Sequence, residues 1–307
     1  MNRTIELDTL CAVIEAGSIT AAARRLDTAK SVVSRRIKDL EQRLKVELFH
    51  RTTRQLVPTE TGLALYRRAR YVLDELQDAE TAATGEHAAI GGRLKVAVPA
   101  SFGALHVAPA LGGLMTRYPA LNLELDVNDR RLDLVAEGID VALRIGGLLD
   151  STFIAKRITR IRHLVCAAPS YLERHGTPKR LEDLSQHHCL SYSGVADATS
   201  WPYLRDKNTP GRVPINVRLR ANNGDILREA ALAGLGLIRE PTFIVWRHIQ
   251  TGGLVPVLTE YTWSRVHLQA VWPQTRHPSR RVRAFVDFFA ERFNDPPYWD
   301  EPYDRIS

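Results

Sequence analysis

Apolar positions recur in three rhythms along this 307-residue chain. Near the N-terminus, Leu7, Leu10, Val13 and Ile14 follow the three-and-four spacing that gathers side chains on one helix face. Ala21, Ala22, Ala23 and Leu26 predict a short second helix. Ser18 starts it, because a hydroxyl there accepts N–H groups left unpaired in a first turn. After a break at Asp27-Thr28-Ala29, the apolar set Val33, Ile37, Leu40 and Leu44 predicts a third helix. Leu48-Phe49 and Gln55-Leu56-Val57 read as two short strands around the polar turn His50-Arg51-Thr52-Thr53-Arg54. From Thr59 to about Thr84 the rhythm becomes a heptad seam of Leu65, Ala69, Val72, Leu76, Ala79 and Ala83. Thr59 or Thr61 caps this long helix after Pro58. Gly85 to Gly92 (GEHAAIGG) reads as a hinge. Such a seam can pack on its own domain, but a helix set apart by a Gly-rich joint favours dimerisation through that face.

Beyond the hinge, strand and helix patterns alternate. Strands are expected at Arg93 to Pro99, Leu121 to Val127, Val141 to Ile145, Leu164 to Ala168 and Val213 to Ala221. Ser101-Phe102-Gly103 opens a helix, Leu132 to Glu137 is a helical turn region, and Ile226 to Ala233 is a helix stopped by Gly234-Leu235-Gly236. The alternation argues for parallel-sheet α/β architecture. In such sheets ligands gather at the carboxyl ends of strands. That singles out Ser101, Phe102, Arg144, Gly146, Asn222, Asn223 and Gly224 as loops converging on one cleft. Ser101 can equally be a simple cap, Asn223-Gly224 a simple turn, and Trp201 either a cleft aromatic or core.

Charge sharpens the N-terminal picture. Residues 24 to 54 carry ten basic and four acidic side chains, whereas the whole chain has a net charge of +7. On the third helix, Lys30, Ser31, Ser34, Arg35 and Lys38 lie opposite the apolar face. These donors have the reach to meet base edges and phosphates, and a basic patch adds sequence-independent affinity for DNA. Ser18, Thr20, Arg36, Arg51 and Arg54 complete the candidate DNA contacts. Residues 85 to 307 carry 28 basic against 23 acidic side chains. That balance leans toward an acidic small molecule, with Arg144 as its counter-charge.

The chain carries no GxSxG, GxxxxGK or HExxH pattern, so no catalytic constellation is read and none is expected. Gly234-Leu235-Gly236 follows a helix rather than a strand, which argues against a dinucleotide fingerprint. His187-His188-Cys189 lacks a second ligand pair at metal-binding spacing. Cys11, Cys166 and Cys189 are scattered, which suits a reduced cytoplasmic setting. No apolar run is long enough to cross a membrane, and the N-terminus has no signal-peptide core.

These residues together resemble the LysR-type transcriptional regulators along essentially the full chain. The resemblance rests on Glu15 to Ala22 (EAGSITAA), Val33-Ser34-Arg35-Arg36-Ile37, Leu40-Glu41, Leu48-Phe49-His50-Arg51 and Pro58-Thr59-Glu60-Thr61-Gly62. Asp133 to Gly146 and Tyr171 to Pro178 are similar to the CrgA-like subgroup. The resemblance implies an N-terminal winged helix-turn-helix, a linker helix that dimerises, and a periplasmic-binding-protein-like effector domain in two lobes. It places the winged helix-turn-helix at 1–58, the linker helix and hinge at 59–90, and the effector domain at 91–307. Lobe 1 takes about 91–162 and 268–307, lobe 2 about 163–267. It also implies tetramers that bend promoter DNA. Lys30, Ser31, Ser34 and Arg35 take the groove-reading positions, and Arg54 the wing position that enters the minor groove.

Two departures from the family pattern stand out. Members commonly have Gly, Ser and Gln where this chain has Asp27, Ala29 and Lys30. Ala29 removes the usual hydroxyl cap, leaving Thr28 as a substitute. Lys30 exchanges an adenine-pairing amide for a point charge suited to guanine or phosphate.

The expected function is therefore promoter-specific DNA binding, modulated by a small-molecule effector in the interlobe cleft. The expected partners are double-stranded promoter DNA, further copies of the chain, the effector and RNA polymerase, with no membrane and no cofactor beyond the effector. Two other readings stay open: a regulator that takes no ligand, and an α/β enzyme with a DNA-binding appendage.

Overall fold

The computed structural model describes residues 2–51, 56–83, 90–130, 133–146, 153–195, 197–205, 209–263, 265–274 and 278–304. The chain divides into two compact units, residues 1–92 with 132–139, and residues 93–131 with 140–307.

The first unit opens with α1 (Arg3–Ala16), capped by the Asn2 side chain and closed by Gly17 in a left-handed turn. Ser18 then caps α2 (Ile19–Arg25) by accepting from the Ala21 N–H at 3.1 Å, as its position predicts. Helix α3 (Lys30–Leu44) follows. Leu10, Val13, Ala22, Ala23, Val33, Ile37 and Leu40 close a three-helix core together with Leu48 and Phe49. Each buried Val or Leu contributes about 1.5–3 kcal/mol of burial free energy. Leu44 does not join them; it lies at the last turn of α3, exposed. Glu6 of α1 is buried and takes two N–H donations from Arg43 of α3, at 2.6 and 3.0 Å.

A two-stranded antiparallel wing, β1 (Phe49–Arg51) and β2 (Leu56–Pro58), follows α3. The Glu41 carboxylate accepts from the backbone N–H groups of Leu48 and Phe49, so α3 itself fixes where the wing begins. Helix α4 (Glu60–Ala83) comes next. Of the two caps the sequence offers, Thr59 is the one used: its hydroxyl accepts from the Gly62 N–H at 2.9 Å and donates to the Glu47 carbonyl at 2.8 Å. Gly62 is obligatory here, because a Cβ would sit 2.1 Å from the Leu48 carbonyl oxygen. The heptad seam divides. Ala69 is 2% exposed, whereas Val72 and Leu76 are 52% and 41% exposed.

The second unit is built on a nine-stranded sheet. Its first elements are β3 (Gly92–Val98), α5 (Ala100–Phe102), a π-helical turn (Gly103–Val107), a 3-10 turn (Ala108–Ala110), α6 (Leu111–Arg117), β4 (Leu121–Val127) and β5 (Val141–Ile145). A 15-residue strand, β6 (Phe153–Ala167), leads to α7 (Pro169–His175) and β7 (His188–Tyr192). A separate ribbon, β8 (Ser200–Arg205) with β9 (Thr209–Pro214), precedes β10 (Asn216–Ala221), α8 (Gly224–Leu232), β11 (Leu237–Pro241) and α9 (Thr242–Gln250). The chain returns through β12 (Val255–Val257) and β13 (Arg265–Pro273), and ends with α10 (Arg280–Phe293) and α11 (Glu301–Asp304).

The sheet order is β10-β7-β11-β6-β13-β5-β3-β4, with β12 beside β6. Strands β10, β7 and β11 are mutually parallel, and so are β3 and β5, as the alternation predicts. The two crossing strands are not. β6 pairs antiparallel with β13 from Phe153 to Arg162, then antiparallel with β11 and β12 from His163 onward. This switch of partner divides the domain into two lobes. The short strand expected at Leu164 to Ala168 is the far end of this one long element.

Candidate nucleic-acid interface and effector cleft

Burying Val33, Ile37 and Leu40 turns the opposite face of α3 to solvent. Lys30, Ser31, Ser34, Arg35 and Lys38 are all exposed there, in a stripe that runs two turns. Ser18 and Thr20 are exposed at the start of α2. Arg35 lies 3.9 Å from Asp39 in an i,i+4 pair whose arginine is largely exposed, a contact too weak to hold the guanidinium back. No side chain caps α3: Ala29 occupies the cap position, and Thr28 does not substitute for the missing hydroxyl. Val32 donates to the Ala29 carbonyl at 3.0 Å, so the N–H groups of Lys30 and Ser31 are the ones left to solvent or to an anion.

Arg36 stands apart from the stripe and is half-buried. Its Nη1 turns back to the Thr9 hydroxyl of α1 at 3.5 Å, because position 36 borders the buried side of α3. That contact ties α3 to α1. The backbone of Arg51 lies in β1, while its side chain and all of Arg54 fall outside the described residues.

In the effector domain, the loops expected to converge do so in part. Ser101, at the start of α5, donates to Asp225 Oδ2 at 2.7 Å. Asp225 lies in the first turn of α8, where Arg228 also holds it at 2.6 Å. Asn223 caps α8 by accepting from the Ile226 N–H, and Asn222 is exposed beside it. Gly224 is buried, and a Cβ there would fall 2.5 Å from Ile244 Cδ1 and 2.9 Å from Glu240 Oε2. Arg144 Nη1 donates to the Arg130 carbonyl at 3.1 Å, next to the Asp129 carboxylate that accepts from the Ala100 N–H. Gly146 adopts a φ of 112° and is bracketed by β13: its N–H donates to the His267 carbonyl and its carbonyl accepts from Gln269.

Phe102 and Trp201 do not line this cleft. Phe102 is fully buried among the rings of His106, Phe243, Phe293 and Trp299, with centroids 5.1 to 5.7 Å away. Trp201 packs edge-on against Trp263 in the second-lobe core. Both rings are large enough that the core claims them.

Several polar groups of the cleft escaped the sequence reading. Glu240, at the carboxyl end of β11, is 3% exposed, and burial pushes its carboxyl up to about 8. Tyr192, at the end of β7, is raised to about 12 by burial and then by the charges of Asp129 and Glu240. His106 is buried between lobes. One ring nitrogen faces the Tyr298 hydroxyl and the other the Phe243 carbonyl at 3.0 Å, and burial lowers its pKa to about 4. The signal for Glu240 was present, since it ends an apolar strand ahead of a proline, but a lone acid in a strand names no partner. His187, His188 and Cys189 serve the fold: Tyr171 bonds to the first two, and the Cys189 thiol faces the Leu184 and His187 carbonyls.

Comparison with known proteins covers both units. Residues 5–63 match the bacterial regulatory helix-turn-helix protein, lysR family, and residues 87–294 match the LysR substrate binding domain. The chain is 36% identical over 294 residues to the HTH-type transcriptional regulator CrgA of Neisseria meningitidis serogroup B, covering 94% of this chain and 97% of the relative. It is 34% identical over 285 residues to the HTH-type transcriptional regulator DmlR of Escherichia coli K12, covering 92% and 91%. The solved structure of CrgA superposes with a TM-score of 0.60 over 93% of this chain and 97% of CrgA. The full-length structure of AphB, the Vibrio cholerae virulence activator, does so with 0.58 at 26% identity, covering 95% and 99%.

Proposed function

The chain belongs to the LysR family of transcriptional regulators, and from that premise we propose how its own residues divide the work. As a member it is a DNA-binding regulator with an effector-binding domain, not an enzyme. The exposed stripe Lys30, Ser31, Ser34, Arg35 and Lys38 enters the major groove of the operator, with Ser18 and Thr20 on flanking phosphates. The observation that carries this is the division of α3 into a buried apolar face and an exposed donor face. The uncapped N-terminus of α3 supports it, since free N–H groups there suit a phosphate. Fluorescence anisotropy with the DNA upstream of the protein's own gene tests it. Preference over scrambled DNA by about a thousandfold at fixed salt is expected; equal weak binding refutes it.

The second half of α4 forms the dimer seam, because Val72 and Leu76 present apolar area that the first unit does not cover. Dimers pair into tetramers that bend the promoter and act on RNA polymerase in the cytoplasm. Among the described residues, no helix is long and apolar enough to cross a membrane. Sedimentation of Val72→Glu/Leu76→Glu should show monomers where the parent shows oligomers. The effector is a small acidic molecule held in the interlobe cleft, where Ser101, Asp129, Arg144, Asp225 and Glu240 supply polar partners.

A further inference from the structure

The second lobe buries two guanidinium donors that no acceptor among the described residues meets. Arg239 lies on β11, and its Nε and Nη1 are both sealed from solvent without a hydrogen-bond partner. Its strand neighbour Glu240 projects to the opposite face, since successive side chains of a strand alternate. Glu240 and Arg239 bear on each other through charge, but that carboxylate gives neither Nε nor Nη1 a hydrogen bond.

Arg239 stands across from Val165 of β6, and His163, two residues away on that strand, presents the same face. Val165 packs with Trp201, Leu237 and Trp263. This face ends where β6 changes partner between Arg162 and His163, at the junction of the lobes. Arg212 of β9 adds a repulsive charge to Arg239 and is itself held by Asp197 and Ser200. Burial, with Arg212 adding to it, lowers Arg239 to about 10, and burial together with the Arg239 charge holds His163 well below its usual range.

Buried guanidinium donors without an acceptor are costly to keep, and an anion is an ordinary resolution. We propose that Arg239, with the imidazole of His163 beside it, receives the carboxylate of the effector where this face of the second lobe reaches the lobe junction. One guanidinium beside a neutral imidazole offsets one negative charge, which fits a carboxylate and leaves half of a phosphate dianion unanswered. This rests on the reading that the domain takes a small molecule, and it adds a second cation to Arg144.

The test is thermal melting of the full chain, as parent, Arg239→Met and Arg239→Lys. The probes are simple mono- and dicarboxylates, with inorganic phosphate and chloride at matched ionic strength, since a ligand of the native state raises the melting temperature. At least one carboxylate should raise the parent's melting temperature by several degrees while phosphate does not. Arg239→Met should lose that shift and Arg239→Lys retain part of it. Without probes, Arg239→Met should melt at or above the parent, because the unmet donors are gone. A melting temperature several degrees lower would mean that the fold satisfies Arg239, and would overturn the proposal. So would an undiminished carboxylate shift in Arg239→Met, which leaves the effector reading standing with another anchor. A parent that responds only to phosphate, or to no carboxylate, also overturns it. Silence of the parent toward a broad metabolite library would sink the effector reading as well.

Discussion

Ser101 Oγ donates to Asp225 Oδ2 at 2.7 Å, and this single bond links the first strand–helix turn of one lobe to the first turn of α8 in the other. The two residues are 124 positions apart in the chain. The bond is charge-assisted, and Arg228 keeps Asp225 oriented from the far side. A ligand entering here must compete with it or replace it.

Ser101→Ala should therefore cost the effector domain about 1.5–3 kcal/mol, the usual range for a hydrogen bond to a charged group. Calorimetry should show this loss, while operator affinity measured by anisotropy stays unchanged. A melting profile identical to the parent's would mean that the lobes do not depend on this link.

Lys30→Ala should weaken operator binding by about 1–3 kcal/mol and random DNA much less, if Lys30 reads bases. Equal losses on both DNAs would assign it to a phosphate instead. Arg36→Ala separates scaffold from reader: its bond to Thr9 predicts lower stability of the helix pair rather than altered sequence preference.

Gly62→Ala should destabilise the first unit by at least about 1–3 kcal/mol, the usual cost of overpacking, because the new methyl meets a backbone carbonyl that cannot move aside cheaply. Urea unfolding would measure this directly. An unaltered midpoint would refute the close approach of α4 to Leu48.

Stability should depend on pH with two opposed slopes. Glu240 holds its proton up to about pH 8 in the fold but to 4.5 when unfolded. Its contribution is full below the unfolded value and is lost as pH rises through that window. His106 runs the other way: lowered to about 4 from 6.5, it costs stability as pH falls from 6.5. Each slope is at most about 1.4 kcal/mol per pH unit. Glu240→Gln should thus gain on the parent between about pH 5 and about pH 8 in urea midpoints. A constant difference across that range would remove Glu240 as the titrating group.

The N-terminal unit was legible in the sequence because its signals are local. Helix caps such as Ser18, apolar spacing such as Val33–Ile37–Leu40, and the wing strands each act within a few residues. Leu44 was misjudged because it fits the spacing at a helix end where no partner covers it. The crossing strand β6 was legible only in its last third. Arg157, Arg160, Arg162 and His163 interrupt its apolar alternation, and its pairing shifts register opposite Leu268 and Gln269. Phe102 was misplaced for a different reason, and of the two readings open for Trp201 the core is the one the structure takes. Its sequence neighbours located Phe102 at a strand end, but the rings that enclose it, Phe243, Phe293 and Trp299, lie far along the chain. Ser101–Asp225 and the burial of Arg239 and Glu240 are tertiary facts, and no local pattern encodes them.

The division of labour on α3 has a consequence for how such a protein acquires a new target. Val33, Ile37 and Leu40 hold the core, Glu41 sets the start of the wing, and Arg43 secures α1. Lys30, Ser31, Ser34 and Lys38 hold nothing else in place. The helix thus separates its address from its foundation. Substitutions along the exposed stripe can redirect the regulator to a different promoter while the domain's stability and the response machinery downstream are left as they were.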